Sequence, residues 1–97
     1  MSAIGEKYPR CLEVLTGAWD TSGGQALRAL LWSLYNDRCA VPLWSALTDI
    51  DAGLRAEIAA MMVQLNWEAW CAEIGELLRL SGEMERIDTV PLKWPVV

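Results

Sequence analysis

The stretch DAGLRAEIAAMMVQLNWEAWCAEIGELLRL, residues 51–80, decides how the chain folds. In its first half Leu54, Ile58, Met61, Met62 and Leu65 recur at spacings of three and four, the periodicity of an amphipathic helix. The second half repeats the pattern with Trp67, Trp70, Cys71, Ile74, Leu77 and Leu78. At about 100° per residue the second stripe falls roughly opposite the first. One straight helix would therefore be apolar on both sides. Either it is a rod buried on both faces, which almost requires a second chain, or it breaks near Asn66. The break is the better reading: Asn is a good N-cap, and Glu68 would then lie in a first turn, where the helix dipole favours an acid. This run is taken as the element the rest of the chain serves.

Upstream of it, residues 39–51 read as a connector holding one short helical turn. Pro42 can start that turn, Leu43, Trp44 and Leu47 would point inward, and Asp51 is the expected N-cap of the long run. Residues 25–36 carry the cleanest pattern, with Leu27, Leu30, Leu31, Leu34 and Tyr35 on one stripe; Trp32 lies off it, on the flank shared with Arg28. Residues 20–24, Asp-Thr-Ser-Gly-Gly, form a turn with Thr21 or Ser22 as cap. Pro9 suits the first turn of a short helix ending near Trp19, and residues 1–8 read as a loose leader. Downstream, Ser81-Gly82 is a helix stop. Residues 83–97 carry Ile87, Val90, Leu92, Trp94, Val96 and Val97 around Pro91 and Pro95, and proline is barred from a central strand. They predict an extended arm packed on its own body or on a neighbouring chain. The fold class is all-α: one domain over residues 1–97, a small bundle of four to five helices with an extended C-terminal arm.

Composition narrows the partners. A chain of 97 residues with 13 acids against 8 bases, net −5, lacks the clustered Lys and Arg that nucleic acid demands. Glu57, Gln64, Glu68 and Glu73 interrupt the longest apolar run, so no membrane span is expected. The N-terminal segment, with Glu6, Lys7 and Arg10, shows no secretory h-region, and three cysteines without a CxxC read as reduced thiols; both point to the cytoplasm. Six tryptophans and no phenylalanine exceed what so small a globule readily hides: either some of that surface meets a partner, foremost a second copy of the same chain, or several indoles lie half-buried at the rim.

Chemistry is sparse. Without histidine there is no Cys–His arrangement and no common general base, and a metal site would have to be all-oxygen, with no EF-hand spacing to supply it. Cys71 reads as a small core residue and Cys39, after Arg38 in a loop, as the most exposed thiol. The acid pairs Asp49/Asp51, Glu73/Glu76 and Glu83/Glu85 are too close in sequence to flank a cleft and read as caps or solvated faces. Gly23-Gly24 before a helix lacks the further glycines and lysine of a phosphate loop. No catalytic, cofactor or metal residue is assigned. The interface candidates are Arg28 and Trp32, able to stack one helical turn apart, Trp67 and Trp70 on one apolar face, and Trp94 in the tail.

Gly23-Gly24, the helix Ala-Leu-Arg-Ala-Leu-Leu-Trp-Ser-Leu-Tyr-Asn, and then Leu47-Thr48-Asp49-Ile50 ahead of a helix opening at Asp51 resemble a small uncharacterised family from proteobacterial phages, plasmids and genomic islands. The match spans residue 23 to about residue 65, under half of the chain, and its motifs are structural: a helix start, a helix end and a cap. The Trp-rich second half of the long run and the proline-bearing tail depart from it. The resemblance implies a bacterial mobile-element accessory protein with no known reaction.

Together these features predict a non-catalytic, cytoplasmic protein–protein interaction module that self-associates as a homodimer. A helical domain binding a small apolar ligand in a Trp-lined pocket is the alternative, and a compact DNA-binding regulator the third.

Overall fold

The long apolar run breaks where its two stripes part. In the computed structural model, which describes residues 3–96, one helix stops at Met62 and the next starts at Trp67. Asn66 caps the second, its side-chain oxygen accepting from the Ala69 amide at 2.9 Å, and Asp51 caps the first by accepting from Leu54 at 2.8 Å. The described residues form seven helices: α1 (Ala3–Lys7), α2 (Pro9–Gly17), α3 (Ser22–Asn36), α4 (Leu43–Thr48), α5 (Ala52–Met62), α6 (Trp67–Leu80) and α7 (Glu83–Arg86). The protein is all-α, and the only pairing of extended backbone among these residues is an isolated antiparallel bridge between Cys39 and Pro95.

The helix at the centre is α3, and this corrects the expectation that residues 51–80 organise the chain. Residues 26–32, seven in a row, are all buried, and α3 packs against α2, α4 and α6. A helix covered all round reads poorly as a single stripe: Leu27, Leu30 and Leu31 form one side, while Ala26, Ala29, Arg28 and Trp32 serve the others. The α2–α3 turn is tight enough to require glycine at one place. A Cβ on Gly24 would sit 1.9 Å from the Ala18 carbonyl oxygen, so the pair Gly23-Gly24 serves close packing there, with Thr21 accepting from the Gly24 amide as cap. At the far end Gly82 takes φ 82°, the left-handed stop expected of Ser81-Gly82.

Two segments are more ordered than the sequence suggests. The supposed loose leader holds α1, and Tyr8 is buried with its hydroxyl donating to Glu73 at 2.9 Å; residues 1 and 2 lie outside the described residues. The C-terminal arm is extended only in its last part, because α7 and a set of turns occupy residues 83–89. The arm then docks on its own chain. Leu92 is buried, the Ala40 amide donates to the Trp94 carbonyl at 2.8 Å, and the Val96 amide donates to the Arg38 carbonyl at 3.1 Å. Val97 lies outside the described residues.

Helix α2 is held from outside its own sequence. Tyr8, at its N-cap position, makes no side-chain cap, and the first amides are satisfied by Glu57 of α5 instead. Its carboxylate accepts from the Arg10 and Cys11 amides at 3.0 and 2.9 Å, placing an acid at the positive end of the helix dipole.

Candidate interaction surface

Arg28 and Trp32 face inward, with 1% and 2% of their surface exposed, and so have nothing to offer a partner. This corrects their assignment as interface residues. They do not stack on each other. Both donate to the same oxygen of Glu83: Arg28 Nε at 2.5 Å and Trp32 Nε1 at 3.0 Å. The second Glu83 oxygen accepts from Arg86 Nη1 at 2.6 Å. Arg28 also donates to the Val90 carbonyl at 3.0 Å, and Arg86 to that of Leu15 at 3.1 Å. The Trp19 ring lies under both guanidiniums, 5.9 Å from Arg28 and 4.7 Å from Arg86. Glu83, expected on a solvated face, is fully buried, and no buried side-chain nitrogen or oxygen among the described residues lacks a hydrogen bond. Fully paired, buried charges of this kind fix how elements dock. Here they fix α7 and the arm on α3.

Trp94 also turns inward. It sits half-buried against the core at φ 58°, with Lys93 Nζ 4.7 Å from its ring centre, so it docks within its own chain. Trp70 is half-buried, its indole N–H donating to the Leu34 carbonyl at 3.0 Å. Trp67 stacks on Trp70 with ring centres 6.3 Å apart and planes 13° from parallel, yet 70% of it remains in water.

Trp67 is one of several large apolar side chains left exposed, which periodicity did not reveal. Leu43, Trp44, Met62, Val63 and Leu65 are all more than half exposed, Trp44 at 83% and Leu65 at 97%. Leu43 and Trp44 were expected to point inward; instead the short α4 buries Ala46 and turns its first residues outward. Between these elements lies a groove of roughly 320 Å³. Leu30, Ser33 and Leu34 of α3 line one side, Val41, Leu43 and Leu47 the second, and Ile58 and Met62 of α5 the third. The Trp70–Leu34 hydrogen bond joins the stacked tryptophans to its edge. The lining is aliphatic with one hydroxyl, so the apolar pocket is not the Trp-lined one expected. A signal for the face did exist in the sequence: residues 39–48 and 58–67 contain no charged side chain.

The shifted titratable groups among the described residues sit in structural surroundings. Cys39 is buried behind the bridge to Pro95, correcting its reading as an exposed thiol, and burial raises its pKa above the ordinary value. Burial first, and then Glu57, push the Cys11 thiol up. Burial and the bond to Glu73 do the same for the Tyr8 hydroxyl. Asp51 is lowered by the Leu54 amide and by Arg10. For Glu73, burial pushes upward but is outweighed by Lys7, 2.5 Å away, and Tyr8, leaving its carboxyl below the usual range. Each shift follows from burial, a cap or a structural pair. Among the described residues no His, Cys, Asp or Glu group is placed to hold a metal ion, and no helix is long and apolar enough to cross a membrane. Comparison with family models, with curated proteins and with solved structures finds no match to this chain.

Proposed function

We propose that this protein is a non-catalytic interaction module that pairs with a second copy of itself through the groove face. The extent of that face supports the reading. Trp44 and Trp67 together offer roughly 300 Å² of exposed indole. Leu43, Met62, Val63 and Leu65 add about as much, at on the order of 100 Å² for a fully exposed aliphatic side chain. The total, roughly 600 Å², is at the upper end of what a monomer leaves in water and approaches the ~800 Å² each partner contributes to a standard interface. Its aromatic, Met-containing and uncharged make-up is that of an interface core.

A second copy suits the face better than an unlike partner. A two-fold contact needs one patch that is complementary to itself, and this patch holds both a groove and protruding side chains. With a net charge of −5, two copies meet most favourably through the surface that carries none. The resemblance over residues 23–65 supports an accessory role on a bacterial mobile element, and the free thiols fit a reducing cytoplasm.

Light scattering on a size-exclusion column at two well-separated concentrations tests this. We expect the mass of a dimer at the higher one, and the mass of a monomer for a Met62→Glu/Leu65→Glu variant. A wild-type monomer at both concentrations would sink the proposal. The aliphatic groove supports one second reading, a small apolar ligand, since its volume lies at the low end for ligand sites. A fatty-chain compound that raises the melting temperature at constant monomer mass would favour that instead.

A further inference from the structure

Resting on the self-association reading, we infer that the contact is a reciprocal exchange of Trp44, the indole of each copy seated in the groove of the other. Trp44 stands out for three reasons. It is the most exposed tryptophan, and among the described residues its ring and its indole N–H have no partner, whereas Trp67 is already stacked on Trp70. It follows Leu43, which lines the groove, so its backbone lies next to a lining residue. A knob beside its own groove reaches the matching groove of a second copy when a two-fold axis passes between them.

The groove suits an indole in particular. Aliphatic side chains supply the walls, and Ser33 is the one polar side chain in the lining. Its hydroxyl donates to the Cys39 carbonyl at 3.4 Å and keeps its own lone pairs for an incoming N–H. An apolar slot with a single acceptor matches a ring that is apolar apart from one donor.

Sedimentation or light scattering of three variants tests the exchange. Trp44→Ala should raise the dimer dissociation constant roughly a thousandfold, as two hot-spot side chains leave one contact. Trp44→Phe keeps the bulk and loses two N–H donors, and should weaken the dimer roughly tenfold to a hundredfold. Val41→Trp fills the groove from its own chain and should also give a monomer; Ser33→Met serves if that variant does not fold. The decisive mixture combines Trp44→Ala, which keeps a groove, with the groove-filled variant, which keeps a knob. Each alone should be monomeric, and the mixture should form heterodimers through one restored contact. A wild-type dimer that survives Trp44→Ala overturns the exchange and leaves self-association standing. So does a mixture that stays monomeric. A wild-type monomer overturns both.

Discussion

Replacing Glu83 by Gln should be among the most damaging single changes available to this protein, although it alters one atom. Glu83 is fully buried and accepts from Arg28, Trp32 and Arg86 at 2.5, 3.0 and 2.6 Å. In the variant, an amide oxygen left facing Arg28 and Trp32 turns the amide nitrogen toward Arg86 Nη1, donor against donor. Two guanidiniums also lose their counter-charge, one of them wholly buried. Breaking one side of a buried pair costs about 3–5 kcal/mol. Against a total of roughly 5–15 kcal/mol for a domain of ordinary stability, that is a large share. At about 4–8 °C per kcal/mol, the melting temperature should fall by roughly 12–40 °C. Circular dichroism melts and urea titrations read this directly, at one fixed protein concentration because self-association would add to the apparent stability. The urea midpoint should drop at unchanged slope. A cycle with Arg28→Met separates pairing from packing and should give a coupling of roughly 2–3 kcal/mol. A Glu83→Gln cost below about 1 kcal/mol, or a coupling near zero, would show that the Val90 and Pro91 carbonyls, which accept from Arg28 at 3.0 and 3.4 Å, alone satisfy it and would refute the reasoning.

Four further outcomes follow from the packing. Removing residues 90–97 takes away buried Leu92, the Trp94 contacts and the carbonyls that receive Arg28, and should cost roughly 2–5 kcal/mol; unchanged melting after truncation would count against the docked arm. Glu57→Ala frees the Arg10 and Cys11 amides at the start of α2 and should lower stability by about 1–2 kcal/mol in urea, the size of a lost N-cap. Stability should also fall on the alkaline side. Burial raises the Cys11 thiol above its ordinary 9.0 and the Tyr8 hydroxyl above 10.0, so above about pH 9 the folded state holds protons that the unfolded chain has released. That contribution is complete below pH 9 and lost as pH rises toward the folded values, and Cys11→Ala should delay the onset of the fall. Asp51 and Glu73, held low, act in the opposite direction: their contribution is present above the usual carboxylate range and lost as pH falls below it. A melting temperature that is flat from neutral pH into the strongly alkaline range would remove the first of these claims.

Local signals were legible because they are set by neighbours in sequence. The break at Asn66, the caps at Thr21 and Asp51, the stop at Gly82 and the all-α class depend on side chains within a turn of the amides they serve. What was not legible came from pairings across the chain. Glu57 caps a helix more than forty residues upstream, and Glu83 meets Arg28 across fifty-five. An acid beside another acid in sequence looks solvated until its distant partner is known. The direction of α4 was misread for a related reason: Leu43 and Trp44 are apolar, but a one-turn helix can bury only one side, and Ala46 took it. Periodicity over six residues cannot say which side faces in.

The excess of tryptophan divides along the same line. Trp19, Trp32, Trp70 and Trp94 are at least half-buried, and each lies against a cation or gives its N–H to an oxygen of its own chain. The polar groups that receive them come from Glu83, Arg86, the Leu34 carbonyl and Lys93, so a globule this small hides four indoles by building polar partners for them. Trp44 and Trp67 stand in charge-free stretches, where the chain supplies no carboxylate or guanidinium to pair with an indole. Each of the other four rings meets a cation or gives its N–H to an oxygen, whereas Trp44 has no such contact among the described residues and Trp67 has only the stack on Trp70. In the proposed exchange, the groove of a second copy would bring Trp44 an aliphatic slot and the Ser33 hydroxyl as acceptor. Trp67, already stacked on Trp70, needs only to be covered.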